Sequence, residues 1–397
     1  MGMSQRKMLA AVAAIVVLTG LSVTAAAVES GQAAGTATIN VAVITSTTGM
    51  LGDYGKEYTD GFKAGLKYAT KGTNKVNGKS IHVTYLDDAT SASTAVTDFK
   101  DQVGQGVKII AGTASSGIAL QLAPLAEQNK VLYVSGPAAS DAITGKNRYT
   151  FRSGRQTTQD VLAIQGILGK NSTGKKIVVF AQDSAFGQGN VAAVKAILGG
   201  KGHTISSILV PLSANDFTPY ATQAKNAHPD VLFVAWAGDT SVAMWRAMEQ
   251  QNVMKSVTVA TGLANIATWP FYVPGIKFLS HYVYNAPKNK VNAYLRAHVK
   301  GHKPDLFDPD GFVAAQMIVR AIGKGGGTDT DKMVRSLEGW KFVGPKGAQQ
   351  IRKADHAMLQ PMFSVSLNYK GNKITPKPLK TFGAGSMAPP VTPFPSG

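Results

Sequence analysis

The chain has 397 residues, of which 44% are hydrophobic and 16% charged. That balance suits a globular protein of two or three domains and excludes a disordered or multispan membrane protein. The formal net charge of +18 raises nucleic acid, a membrane surface or an anionic ligand as partners, and the lack of cysteine excludes disulfides, thiolate metal sites and a lipid-bearing cysteine.

In chain order, Arg6 and Lys7 precede a charge-free run from Met8 to Val28, and Ala25 and Ala27 stand at the spacing signal peptidase accepts. Residues 1–27 therefore read as a cleavable secretory signal, and 28–37 as a flexible leader. The alternative, a retained anchor, fits poorly with the Ala, Gly, Ser and Thr that fill the second half of the run. Export and the absence of a lipid-attachment cysteine predict a mature protein free in the periplasm or an equivalent space.

From Thr38 short β-branched runs alternate with helical patterns. "TINVAVITS" predicts a strand and 54–69 a helix. "SIHVTYLDD" leads into a helix at 91–104, "VKIIAG" into one at 115–128, and "KVLYVSG" follows. After "YTFRSGR" the series restarts, with predicted helices at 156–169, 186–199, 216–227 and 239–251 between the strands "KKIVVFAQ", "HTISSILVP", "DVLFVAWAG" and "SVTVATG". Two α/β units with parallel sheets follow. Beyond "IKFLSHYVY" come three predicted helices (288–301, 309–323, 329–338), then short strands and turns. The Pro/Gly/Ser-rich end, 386–397, predicts a disordered tail. Residues 285–303 hold five Lys/Arg and no acid. They read as a solvated helix face, or as a docking surface for an acidic partner. They lack the aromatic and glycine pattern of an RNA-binding sheet, and with export this argues against nucleic acid.

"GTASSGIALQLAPLAEQ" (112–128) places Ser115 and Ser116 on a turn between strand and helix. A nucleophile elbow needs glycine two residues before Ser115, where Thr113 stands, and none of the seven histidines lies in a loop motif suggesting a general base. A serine hydrolase is thus the weaker reading. No H-x-x-x-H or H-E-x-x-H motif offers a metal site, and no cofactor is expected. "FGQGNVA" (186–192) matches G-x-G-x-x-A, but "QDSAF" separates it from its strand; its glycines are expected to loosen a loop before the helix. "GTASSG" and "SGPAASD" (135–141) both follow strands. Backbone N–H groups at a helix start, with serine hydroxyls, form a neutral anion cradle, although Ser115 and Ser140 could equally act as helix caps.

At these residues the chain resembles ABC-transporter periplasmic solute-binding proteins of the branched-chain amino-acid, leucine-binding type. The likeness spans about 38–370. It is carried in order by "TSTTGMLGDYGKEYTDGFKAGL", "GTASSG", "VSGPAASD", "FRSGRQTTQD", "FAQDSAFGQGN", "NDFTPYATQAKNAHPDVLFVAWAGD" and "FVGPKGAQQIRKADH". The resemblance implies a type I periplasmic-binding-protein fold: two doubly wound parallel-sheet α/β lobes joined by three crossovers, hinged around an interlobe cleft. Lobe one would hold 38–155 plus 283–355, and lobe two 156–282 plus 356–385. It also implies a non-enzymatic monomer that delivers a small carboxylate-bearing solute to an inner-membrane ABC permease with its ATPase.

Carried over by the resemblance, Ser116 and Ser140, with Ser115 beside them, would bind the ligand's α-carboxylate. Ala138 would add a backbone contact, and Tyr54 and Phe186 would form aromatic walls, with Trp236 nearby. Amino-acid binders of this type place a glutamate for the ammonium where this chain has Thr261. Asp239 could replace that acid or merely cap the following helix. A branched-chain or other apolar amino acid is the expected ligand. An amine-free aromatic or aliphatic carboxylate, and a sensor role serving a membrane receptor, are the alternatives.

Overall fold

The computed structural model describes residues 37–395 except positions 170 and 275. The expected signal segment, and all of the leader but Ala37, lie outside the described residues. Where the sequence predicted the first βα series, a six-stranded sheet runs in the order Lys75–Val76, Lys79–Asp87, Thr38–Thr45, Ile109–Ala111, Leu132–Ser135, Thr150–Arg152. All neighbours are parallel except the short first strand. Its central strands are apolar on both faces, as burial under helices requires: Val41 to Ile44, Ile109 to Ala111 and Leu132 to Val134 are buried.

The restarted series builds a second, four-stranded parallel sheet in the order Thr258–Thr261, Val231–Ala235, Lys176–Gln182, Thr204–Val210. Each sheet carries its own cores: Phe62, Val134 and Met317 belong to one, Phe180, Trp236 and Trp245 to another. Helix Gly52–Ala69 packs closely on Asp308–Gly325, because a Cβ on Gly61 would fall 1.8 Å from the Asp308 carbonyl oxygen and one on Gly311 1.9 Å from that of Tyr58.

The irregular tail resolves into two antiparallel sheets. Lys277–Ser280, Met362–Lys370 and Lys373–Phe382 form one, and Lys341–Gly344, Gly347–Ile351 and Met358–Leu359 the other. The passage between them falls after Leu359 rather than between 355 and 356, because Met358 pairs with Ile351 and is buried in the first sheet's core. The predicted disordered tail also needs correction over its described part. Met387 is buried, Arg352 donates to the carbonyls of Pro389 (2.7 Å) and Pro390 (3.0 Å), and Thr392 N–H donates to Asp355 at 3.1 Å. A composition rich in Pro and Gly removed the helix and strand signals, while the half-buried Arg352, its partner Asp355 and a Gln159 bond to Met387 O supply the anchorage.

Candidate functional site

The carboxyl ends of the parallel strands converge on a cavity of roughly 260 Å³, where ligands bind in open α/β sheets. One wall comes from the loops after Ile109–Ala111 and Leu132–Ser135, giving Ala114, Ser115, Ser116, Pro137 and Ala139, and from Tyr54 and Phe307. The other comes from the loops of the second sheet: Gln182, Ser184, Phe186, Leu212, Ala237 and Leu263.

Ser115 caps helix Ser116–Gln128 by accepting the Ile118 N–H. Ser116 Oγ accepts two main-chain N–H groups, from Ala139 and Ser140, each at 3.2 Å. Both lone pairs are therefore occupied, and the hydroxyl can only donate to a solute. That selects an acceptor, such as a carboxylate oxygen. The loop is held from below: Asp88 accepts from Ser46 and Thr113 Oγ1, each at 2.5 Å. Arg152 donates to the carbonyls of Ala138 (2.7 Å) and Ser140 (3.0 Å). Burial draws the Arg152 guanidinium down to about 10, still charged at neutral pH.

Arg155 is the one charged residue on the cavity wall among the described residues. It is buried, its Nη1 donates to Pro137 O at 3.2 Å, and its Nη2 meets no acceptor. Its Nε lies 3.3 Å from Asp160 Oδ2, near enough for ion pairing but not aligned for a hydrogen bond. Burial pushes the Asp160 carboxyl up to about 6 against the pull of Arg155. That carboxyl remains mostly ionised at neutral pH and pairs with Arg155, while Nη2 is left without an acceptor, and a buried donor without a partner costs about 1–3 kcal/mol.

Two hydrogen bonds donated by main-chain N–H groups clasp the walls. Gly238 N–H donates to Tyr54 Oη at 3.1 Å, and Asp239 N–H to Met50 O at 2.9 Å. Burial pushes the Tyr54 phenol up to about 12, so it stays protonated.

Of the residues expected at the site, Tyr54, Ser115, Ser116 and Phe186 lie on this wall and five do not. Ala138 donates its N–H to Thr113 O, so that donor is committed, and its carbonyl accepts from Arg152. Ser140 caps the turn Asp141–Ile143, and its Oγ faces Gly189 of the opposite lobe. Trp236 is a core residue, stacked on Phe180 and donating to Thr240. Thr261 is buried at its strand end and accepts from Leu263 N–H. Asp239 is exposed and lines a neighbouring groove. The main chain there turns toward Met50 and leaves the carboxylate outside.

Gly187 and Gly189 were also misplaced, for the helix begins at Ala185 and includes both. A Cβ on Gly187 would lie 1.8 Å from the Gln182 carbonyl oxygen, so this glycine allows close helix-to-strand packing. Sequence reasoning missed Arg155 and Gln182. Arg155 did stand within the quoted "FRSGRQTTQD", but nothing in its spacing distinguished it from Arg152.

A family model described as periplasmic binding protein matches residues 38–373. A Leu/Ile/Val-binding protein homologue of Brucella melitensis is 24% identical over 320 residues, covering 79% of this chain and 86% of its own. A solved ABC-type branched-chain amino acid transporter protein of Rhodopseudomonas palustris is 32% identical with a TM-score of 0.74, covering 89% of this chain and 99% of that one. A second structure from that organism, a solute-binding protein in complex with 4-hydroxybenzoate, is 22% identical with a TM-score of 0.79 over 87% of this chain and 97% of its own.

Proposed function

Because the chain belongs to the periplasmic binding protein family, we propose that its solute is a small carboxylate without an amine, its body apolar or aromatic. The protein is a non-enzymatic solute-binding component of an ABC transporter, placed outside the cytoplasm and serving a permease. Among the described residues no helix is long and apolar enough to cross a membrane.

The ligand reading rests on one observation: among the described residues the one charged side chain on the wall is a buried arginine, and no acid lines it. An α-ammonium in this cavity would meet Arg155 rather than a carboxylate, and burying an unpaired charge costs several kcal/mol. A carboxylate is drawn by the charge of Arg155 and accepts from the Ser116 hydroxyl, while Tyr54, Phe186, Phe307, Leu212 and Leu263 surround its body. The relative holding 4-hydroxybenzoate offers this solute class by analogy. An apolar amino acid is the second reading, favoured by the names of the 24% and 32% identical relatives.

The same proposal divides the lobes at 38–155 with 283–359, and 156–282 with 360–385. It gives the chain a signal peptide cleaved after about Ala27, a monomeric state and an ATPase behind the permease. N-terminal sequencing of the secreted protein checks the cleavage. A thermal-shift panel of benzoates, aliphatic acids and amino acids checks the ligand class, since a solute at 100 times its Kd stabilises by about 2.7 kcal/mol. Shifts confined to amino acids would refute it.

A further inference from the structure

From Gln250 to Pro304 the sequence has seven Lys/Arg and no acid, and from His356 to Gly397 four lysines and no acid. The fold brings these two segments together. Lys277–Ser280 pairs with Met362–Lys370, and the row Lys277, Ser366, Lys377 crosses the sheet on one face. Asn285 Nδ2 donates to Pro376 O at 2.9 Å, which seats the chain at 284–286 against the edge strand. Arg296 and Lys303 both lie over the Tyr284 ring, at 5.8 and 5.6 Å from its centroid. At the hairpin tip Lys370 opposes Lys373. None of the eleven cations is paired with an acid among the described residues.

The hairpin also exposes apolar surface among its lysines. Leu379 is 44% exposed, and Tyr369 is 37% exposed although its hydroxyl is tied to Tyr272 O at 2.7 Å. Ten of the eleven cations are lysine. Lysine is a point charge on a flexible stem that needs no fixed partner geometry and so tolerates the mobile charge of a headgroup surface, whereas arginine's rigid fork suits carboxylates or phosphates held in fixed positions. Clustered lysines with an exposed tyrosine and leucine are the composition of a surface that lies on an anionic bilayer.

We infer that the hairpin Met362–Phe382, with the adjoining segment 284–303, docks the protein reversibly on anionic lipid. Such a face would hold the binder near the membrane where its permease sits. The inference uses the extracytoplasmic location and is independent of the solute.

Co-sedimentation of the mature protein with phosphatidylcholine vesicles, and with vesicles containing roughly a third phosphatidylglycerol, tests it. Binding to the anionic vesicles alone, abolished by 0.5 M salt, is expected; on the order of 100-fold weaker binding is expected for Lys370→Glu, Lys373→Glu and Lys377→Glu combined. A control reversing three exposed lysines elsewhere, Lys67→Glu, Lys71→Glu and Lys100→Glu, has the same net charge and should bind several-fold better than the hairpin variant. Both variants should keep the wild-type melting temperature to within a few degrees. Equal loss in both variants would assign the effect to net charge and overturn the inference. So would the absence of vesicle binding at low salt; if the hairpin variant alone then lost capture by the permease, an acidic protein surface would be the occupant.

Discussion

The two walls of the cavity offer a solute different things. The wall made by the first sheet and Arg155 presents a donor and a positive charge: Ser116 has both lone pairs filled and can only donate, and Arg155 is anchored through Nη1. The wall of the second sheet is mainly a hydrocarbon surface of Phe186, Leu212, Ala237 and Leu263, with Gln182 beside it. Gln182 is itself committed, its Oε1 accepting the Ala237 N–H at 2.9 Å. One wall reads charge and the other reads shape. Since charge-assisted hydrogen bonds contribute more than single apolar contacts, affinity should be lost far more readily on the first wall.

The largest effect is expected from Arg155→Ala. Losing a charge-assisted bond worth about 1.5–3 kcal/mol, and the guanidinium charge itself, should weaken binding of an aromatic carboxylate by on the order of 100-fold. Calorimetry measures this directly. The same change leaves Asp160 buried and unpaired and should lower the melting temperature. Asp160→Asn in the same chain should restore stability but not affinity. Recovery of both would reduce Arg155 to a structural role.

The clasp comes next. A Cβ on Gly238 would fall 2.5 Å from Met50 O, and its φ of +88° suits glycine alone. Gly238→Ala should break both bonds across the clasp, at about 1 kcal/mol each, and weaken binding by roughly 30-fold. Tyr54→Phe removes one of them and should cost only about fivefold. Small-angle scattering of the Gly238→Ala protein at saturating solute should show an opened molecule; a closed one would sever the clasp from affinity.

Both sheets and most helices were legible in the sequence, because strands buried on both faces leave continuous apolar runs and the helices between them keep their 3.6-residue period. Ser115 and Ser116 were legible for the same reason, since a strand followed by a serine-capped helix fixes where the turn points. The second wall was not. Trp236 follows its strand Val231–Ala235 directly, yet it turns inward onto Phe180 while its neighbour Ala237 lines the cavity. Which of two consecutive side chains faces a cleft depends on a single peptide's rotation, and no periodicity records that. Asp239 shows the same limit, for an N–H bond to Met50 decides its direction. Arg155 was hidden because burial and a missing acceptor are properties of the assembled lobes.

Smaller effects sharpen the contrast. Ser116→Ala should cost about tenfold in affinity for a carboxylate, whereas Phe186→Leu on the opposite wall should cost only about threefold. A comparable loss from both would erase the distinction between the walls.

The least pronounced effect is in pH. Asp160 titrates at about 6 in the structure, raised by burial. Below that value the carboxyl is neutral and Arg155 is left to the solute. Above it, the carboxylate competes for Arg155 and repels the incoming anion. Affinity for a carboxylate should therefore fall a few-fold from pH 6 to pH 8, with proton uptake on binding. Calorimetry in two buffers of different ionisation enthalpy detects that uptake, and Asp160→Asn should abolish it. Proton release on binding would reverse the assignment.

The amine itself is tested most directly by a matched pair, 3-phenylpropanoate and phenylalanine, which share carboxylate, chain and ring and differ only in the α-ammonium. Calorimetric titration of the purified protein with each should show the amine-free acid binding at least about 100-fold more tightly, the consequence of an ammonium buried beside Arg155 with no acid on the wall. Tighter binding of phenylalanine would mean that an ammonium acceptor exists in the cleft and that the solute is an amino acid after all.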